Sequence, residues 1–217
     1  MNEVTDALNQ IKEAIIEGKY EIIPQLLEGA LKLGSEPKLI LNEYMIPAMT
    51  EVGNRFEKHQ IFIPEMMMSA KAMHAGLQIV EPLLSKAEIE PSGSFVIGTV
   101  KGDFHDIGKN IVAIMLRGNG IKVIDLGSDV SAETFVEQVK SHGAKILGMS
   151  ALLTTTMMQM EHTIQLAIRE GLRENVKIMV GGAPLTEGFS KKIGADCYAP
   201  NAGAAVRIAR SILTNTN

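Results

Sequence analysis

The stretch Gly98-Thr99-Val100-Lys101-Gly102-Asp103-Phe104-His105-Asp106-Ile107-Gly108 decides how this chain folds. It follows the apolar run Phe95-Val96-Ile97, which reads as a buried strand, and precedes Lys109-Asn110-Ile111-Val112-Ala113-Ile114-Met115-Leu116, which reads as a helix. A strand that ends in Gly102, Asp103, His105 and Gly108 before a helix begins puts polar side chains on a loop at the carboxyl edge of a sheet. In open α/β folds that edge is where ligands bind.

Downstream of this stretch, short apolar runs alternate with amphipathic segments. The pattern predicts strands at Phe95–Val100, Lys122–Leu126, Ile146–Ser150, Lys177–Val180 and Cys197–Ala199, with helices at about 107–119, 132–142, 157–172, 186–193 and 202–213. Such alternation implies a parallel sheet covered on both faces. Five units fit the flavodoxin-like order 2-1-3-4-5, whose crevice lies between strands 1 and 3. The loop after strand 1 carries Asp103 and His105, and the loop after strand 3 carries Ser150, Leu152 and Thr154. The polar residues therefore fall where the chain reverses its order.

Upstream, residues 3 to about 87 show helical periodicity. The first helix carries Val4, Leu8, Ile11 and Ile15 and ends at Gly18; the second begins near Tyr20, carries Leu26, Leu27 and Leu31 and ends at Gly34. Gly at such a point is a C-terminal cap. Ser35 is expected as the N-cap of a third helix, with Pro37 in its first turn, Pro47 as a kink and Phe56 near its end. After a break at Glu57-Lys58-His59-Gln60, Pro64 opens a fourth helix. Four antiparallel helices make a small bundle. The period changes just after Glu88-Ile89-Glu90-Pro91-Ser92-Gly93, so the expected domains are 1–90, a helical bundle, and 91–217, the α/β domain.

Composition narrows the function. The chain has 217 residues, 46% of them apolar, and a net charge of −4. A net negative charge argues against non-specific nucleic-acid binding, which needs clustered Lys and Arg. The one cysteine, Cys197, excludes an intrachain disulfide and a cysteine-based zinc cluster. The acidic start Met-Asn-Glu-Val-Thr-Asp is no signal peptide, and no apolar run approaches the ~20 residues that cross a bilayer. A soluble, cytoplasmic protein without a membrane partner is expected. Thirteen Met and no Trp suit an adaptable core.

His105 is the leading candidate for chemistry. Asp103, two residues away, can accept a hydrogen bond from one imidazole nitrogen, which fixes the tautomer as metal-ligating histidines require. Gly102 and Gly108 leave room for a large planar group. No neighbouring His, Cys or carboxylate cluster completes a protein-only metal site, so one His ligand fits a metal that brings its own macrocycle.

Three segments in order, Asp103-x-His105-x-x-Gly108, Ser150-x-Leu152 and Gly181-Gly182, resemble the pattern of the cobalamin-binding domain of corrinoid methyl-transfer proteins. Val52 to Pro64 resembles the helical cap segment of cobalamin-dependent methionine synthase, in which an apolar pair, here Phe56 and Ile63, shields the upper face of the corrin. The resemblance covers nearly the whole chain. It implies a cobalamin or related corrinoid, with its cobalt, held between the two domains and its nucleotide tail inserted into the second. Carried over by position, His105 is the lower axial ligand of cobalt, Asp103 its hydrogen-bond partner and Ser150 the outer member of that relay. Gly102, Asp106, Ile107, Gly108, Leu152, Thr154, Gly181 and Gly182 would line the cofactor site, with Gly203 near the benzimidazole.

In such proteins cobalt takes a methyl group and gives it up to a thiolate or pterin-linked acceptor. A stand-alone cap and corrin domain looks like the methyl carrier of anaerobic methyltransferase systems, not a complete enzyme. The implied partners are a substrate-specific methyltransferase, with a methylamine, quaternary amine, methanol or methoxylated aromatic as donor, and an acceptor methyltransferase using coenzyme M or tetrahydrofolate. A reductive activase is a further implied partner. The segment 88–93 is expected to act as a hinge. Three rivals are a cobalamin-dependent sensor, which needs a DNA-binding module, a mutase-type small subunit, which lacks the Phe56–Pro64 pattern, and a flavodoxin-like or receiver-type domain, which needs no His ligand and leaves the helical region unexplained. The remaining histidines, His59, His74, His142 and His162, read as surface or interface residues.

Overall fold

The computed structural model describes residues 3–84 and 93–214. The chain divides into two compact units, one from residues 1–90 with 118–120, the other from 91–117 and 121–217. The expected hinge at 88–93 lies outside the described residues except for Gly93.

The first unit is helical: α1 (Glu3–Ile16), α2 (Ile23–Lys32), α3 (Ile46–Glu57) and α4 (Ile63–Val80). Leu8, Ile11 and Ile15 of α1, Ile23 and Leu27 of α2, Met49 and Val52 of α3, and Met66 and Met73 of α4 are buried. These positions recur at helical spacing, which is why the segments coil. The two glycine stops work as expected. Gly18 and Gly34 sit at positive φ, and the amides of Lys19 and Ser35 reach back to Ala14 and Ala30 to close the last turns. The break after α3 is the same motif with His59 at φ +56 in the position glycine usually fills: the His59 amide bonds Phe56 O and the Gln60 amide bonds Arg55 O.

Two expectations for the third helix need correction. Ser35 does not cap it. Its amide is already used to close α2, one residue too early, and its buried hydroxyl has no partner among the described residues; Glu36 takes the N-cap position, without a side-chain bond. Nor does Pro47 simply kink a helix. An α-turn at Pro37–Leu39 leads into a π-helical turn, Ile40–Met45, and the Ile46 amide bonds Leu41 O. Proline has no N–H and its ring collides with the carbonyl four residues back. A wider i→i+5 turn just before it absorbs that loss.

The second unit is a five-stranded parallel sheet in the order β2-β1-β3-β4-β5, as expected. The strands are β1 (Ser94–Thr99), β2 (Lys122–Asp125), β3 (Ile146–Ser150), β4 (Lys177–Gly181) and β5 (Cys197–Tyr198). The helices between and after them are α5 (Ile107–Gly118), α6 (Ala132–His142), α7 (Met158–Arg169), α8 (Glu187–Lys192) and α9 (Ala202–Thr214). Every residue of β1 is buried, the signature of a central strand covered on both faces. β1 pairs with β2 on one side and β3 on the other (Ile97 opposite Asp125, Thr99 opposite Ser150). The chain must therefore leave β1 in one direction and return past it in the other. The loops that follow β1 and β3 lie at this edge of the sheet, and the candidate residues are on them.

Candidate functional site

The Asp103 carboxylate organises the crevice. Asp103 is fully buried, and each of its oxygens is occupied. Oδ1 accepts from the His105 ring Nδ1 at 2.8 Å and the His105 amide at 3.1 Å. Oδ2 accepts from the amides of Leu152 (2.8 Å) and Leu153 (3.2 Å) and from the Thr156 hydroxyl (2.8 Å). Burial alone would push the pKa of this carboxyl up. The Leu152 and His105 amides, the His105 ring and the Thr156 hydroxyl outweigh it and hold the carboxyl well below the usual carboxylate range. The loop after β1 and the loop after β3 are thus joined through one anion.

An ionised carboxylate only accepts, so the His105 Nδ1 carries the hydrogen it donates, and Nε2 is the ring atom left to take a metal. The His105 carbonyl is held as well, by the Thr99 hydroxyl at 3.1 Å. The imidazole itself is half exposed (51%). Around it the surface is apolar: Phe104 and Ile107 are 70% and 73% exposed, and Leu152 and Leu153 also face out. Large apolar side chains left uncovered beside a fixed imidazole suit a broad apolar ligand with a metal at its centre. Among the described residues no group of three or more His, Cys, Asp or Glu could hold a metal by itself.

The glycines divide by cause. Gly102 turns the chain at φ +79, and Gly182 sits at φ +138 where a Cβ would overlap the Ala151 carbonyl oxygen. Both are required by the backbone. Gly108 is different: its φ is ordinary and a Cβ there would meet nothing within 4 Å. The protein leaves that space open beside His105, so the residues present fit a bulky planar cofactor.

The other expected residues fall as follows. Asp106 accepts the first helical bond of α5, from the Asn110 amide, and Ile107 begins that helix. Thr154 is exposed in the turn between β3 and α7, Gly181 ends β4, and Gly203 is buried in the first turn of α9. Phe56, in the last turn of α3, is half-buried, and Ile63, the first residue of α4, is exposed. Ser150 is the departure. It ends β3, in register with Thr99 and Gly181, and among the described residues the hydroxyl on Asp103 is that of Thr156. The chain turns after the strand, folds residues 152–156 over the carboxylate, and delivers the hydroxyl six residues later. Thr156 Oγ1 also lies 2.9 Å from Leu153 O; with one proton to donate, the charged acceptor is the stronger claimant.

Phe104, Leu153 and Thr156 were not expected at the site, nor was Lys109, which is 2% exposed. Its ammonium binds both oxygens of Asp125 (2.6 and 2.7 Å) and Asn110 Oδ1, tying the start of α5 to the end of β2. Burial pushes the Asp125 carboxyl up, but Lys109 and the Gly127 amide more than reverse this. An apolar residue inside a polar loop, and a lysine at the second turn-facing position of a helix, were the available signals.

Known proteins resemble this chain over most of its length. Family models described as B12 binding domains match residues 93–207 and 7–81. The chain is 42% identical to dimethylamine corrinoid protein 1 of Methanosarcina mazei over 98% of its length and 99% of the relative's. A crystal structure of a cobalamin-binding protein from Desulfitobacterium hafniense aligns with a TM-score of 0.81 at 30% identity, covering 94% of this chain and 98% of that one. The methanol:cobalamin methyltransferase complex MtaBC of Methanosarcina barkeri contains a chain that aligns with a TM-score of 0.85 at 31% identity, covering 98% and 81%. With matches of this extent on both units, the chain belongs to the B12-binding corrinoid protein family, the cognate methyl carriers of corrinoid-dependent methyltransferases.

Proposed function

We propose that this chain carries a methyl group between a substrate-specific methyltransferase that draws on a methylamine and a second methyltransferase that uses coenzyme M or tetrahydrofolate, with His105 as the lower ligand of the corrin's cobalt. When bound, the corrin supplies the metal centre at which the methyl group is taken up and released. The chain's own residues do the rest. Asp103 holds the His105 ring by Nδ1 at 2.8 Å and leaves Nε2 directed to coordination chemistry. Thr156 and the amides of Leu152 and Leu153 keep that carboxylate ionised, so a proton is stored on the imidazole nitrogen and not on the acid. Gly108 leaves space for the cofactor, while Phe104, Ile107 and Leu152 present apolar surface to it. Phe56 and Ile63, in the helical unit, are proposed as apolar residues that would shield the corrin when it is bound.

The observation that carries the reading is the Asp103–His105 pair on the sheet edge, with one ring nitrogen bonded and the ring half exposed. The name of the Methanosarcina mazei relative supports a methylamine donor. The test is anaerobic reconstitution with hydroxocobalamin, followed by visible spectra of the wild type and His105→Ala. Stoichiometric corrin with an altered axial-ligand spectrum in the variant is expected. A wild type that binds no corrin, or a variant with an unchanged spectrum, refutes the ligand role. Methylation of the reconstituted protein by methyltransferases fed dimethylamine, trimethylamine or methanol then identifies the donor.

A further inference from the structure

Asp129 lies in the loop between β2 and α6, well outside the segments that the family pattern marks, and its geometry is unusual. Its φ is +58, one of two positive values at non-glycine residues among those described. A side chain there is disfavoured, and Asp or Asn is the least disfavoured choice. What the conformation achieves is reciprocal bonding with the histidine loop. Asp129 Oδ1 accepts from the Gly102 amide at 2.8 Å, and the Asp129 amide donates to the Asp103 carbonyl at 3.0 Å. Gly102 is itself left-handed, at φ +79. Two left-handed residues therefore face one another, and their two bonds hold the 101–102 and 103–104 peptides that flank the Gly102-Asp103 step. On the flanks, the Val130 amide bonds Thr99 O and the Thr99 amide bonds Gly127 O, so residues 127–130 run along the end of β1. Lys101 pairs with Asp129 Oδ2 at 3.0 Å, but this contact is exposed and adds little.

We infer that Asp129 is a positioning residue for the His105 ligand: its carboxylate, through the Gly102 amide, fixes the backbone of Asp103 and so sets the imidazole that Asp103 holds. The carboxylate of Asp103 is anchored separately, by the loop after β3. With its side chain held from β3 and its backbone from the β2–α6 loop, Asp103 has no freedom to let the ring swing. Releasing the backbone end loosens the ring without disturbing the corrin-facing surface. The inference rests on the reading of His105 as the cobalt ligand.

The test separates the carboxylate from the backbone. Asp129→Gly keeps the left-handed conformation at ease and deletes the acceptor; Asp129→Asn keeps an Oδ1 acceptor and the conformation; Lys101→Met deletes only the surface pair. Two readouts are taken on each. In corrin-free protein labelled with 15N-histidine, NMR at a pH above the ring's titration reports the tautomer of His105. In the reconstituted cobalt(II) protein, EPR of the same labelled samples shows whether a histidine nitrogen splits the cobalt signal. In Asp129→Gly the ratio of histidine-ligated to histidine-free cobalt is expected to fall roughly tenfold, the effect of losing one hydrogen bond to a charged group, and the Nδ1–H tautomer preference to weaken. Asp129→Asn and Lys101→Met are expected to stay near wild type. An Asp129→Gly protein that keeps both the ratio and the tautomer overturns the inference, as does an Asn variant that falls as far as the Gly variant. Should Asp129→Gly fail to fold, Asp129→Ser, too short to reach the Gly102 amide, carries the same expectation. If wild type shows no histidine splitting while the corrin-free tautomers behave as stated, it is the ligand reading that fails, and the positioning of His105 by Asp129 stands.

Discussion

Replacing Thr156 by valine tests the anchoring of the site most directly. Valine keeps the branched shape in a buried position and exchanges only the hydroxyl for a methyl group. Asp103 then loses one of its donors, the 2.8 Å bond from Thr156 Oγ1, while the Leu152, Leu153 and His105 donors remain. A hydrogen bond to a charged group contributes about 1.5–3 kcal/mol, and because other donors share the same oxygen we expect a loss of about 2 kcal/mol. The loss has a defined pH dependence. Asp103 is held below its ordinary value of 3.8 in the folded protein, so its contribution is complete above that value and disappears as pH falls through the folded-state value beneath it. Thr156→Val raises the folded-state value towards 3.8. The gap between wild type and variant is therefore constant from neutral pH down to the ordinary carboxylate range and closes below it. Urea unfolding of the corrin-free protein, followed by circular dichroism over that range, measures the gap. A gap within about 0.5 kcal/mol of zero at neutral pH, the size of an ordinary surface change, refutes the reasoning. So does a full gap that persists in strong acid, which would place the hydroxyl proton on the Leu153 carbonyl instead. Ser150→Ala, by contrast, is expected to leave the curve unchanged throughout.

Three further outcomes follow from individual contacts. Gly108→Ala adds a methyl group in open space inside a helix; thermal unfolding of the corrin-free protein should show a gain of roughly 0.5–1 kcal/mol, while titration with hydroxocobalamin shows weakened binding. Equal effects of the same sign on both would contradict the reading of that space as the cofactor's. Gly182→Ala should destabilise the sheet unit by on the order of 3 kcal/mol, because the residue is left-handed and a Cβ meets the Ala151 carbonyl; a soluble variant with an unchanged urea midpoint would contradict this. Lys109→Met should cost about 2 kcal/mol by leaving the half-buried Asp125 without its ammonium partner, and adding Asp125→Leu should recover most of it. Additive losses in the double variant would show that the two residues act separately.

Much of this was legible from spacing. Strand order and the positions of β3 and α6 follow from where Val, Ile and Leu cluster and where Gly and polar residues interrupt them, and His105 stands out because Asp103 precedes it by two. The misses share a cause. The hydroxyl that serves Asp103 comes from Thr156 and not Ser150, since the path of residues 152–156 over the carboxylate is a tertiary fact that no local periodicity encodes. Ser35 looked like a helix cap because its type suits one, yet the same residue was needed one position earlier to finish α2. Pro47 announced a break, but whether a helix answers by kinking or by widening a turn depends on the packing of Ile40 and Met45, both fully buried. Asp129 carries no sequence signal at all: only its left-handed φ and its contact with Gly102 mark it.

The bonds that make the Asp103 anchor join residues 49, 50 and 53 positions apart, and this has a bearing on the order of events when the protein is made. β1 can pair with β2 as soon as residue 125 is available, but the carboxylate stays without its Leu152, Leu153 and Thr156 donors until β3 and the turn to Thr156 have been synthesised and have crossed to the other side of β1. Parallel pairings of this span form slowly, since the closure of a long loop precedes any gain. A half-made chain therefore offers the histidine but no fixed imidazole. A corrin that bound only the completed site would favour that form by mass action.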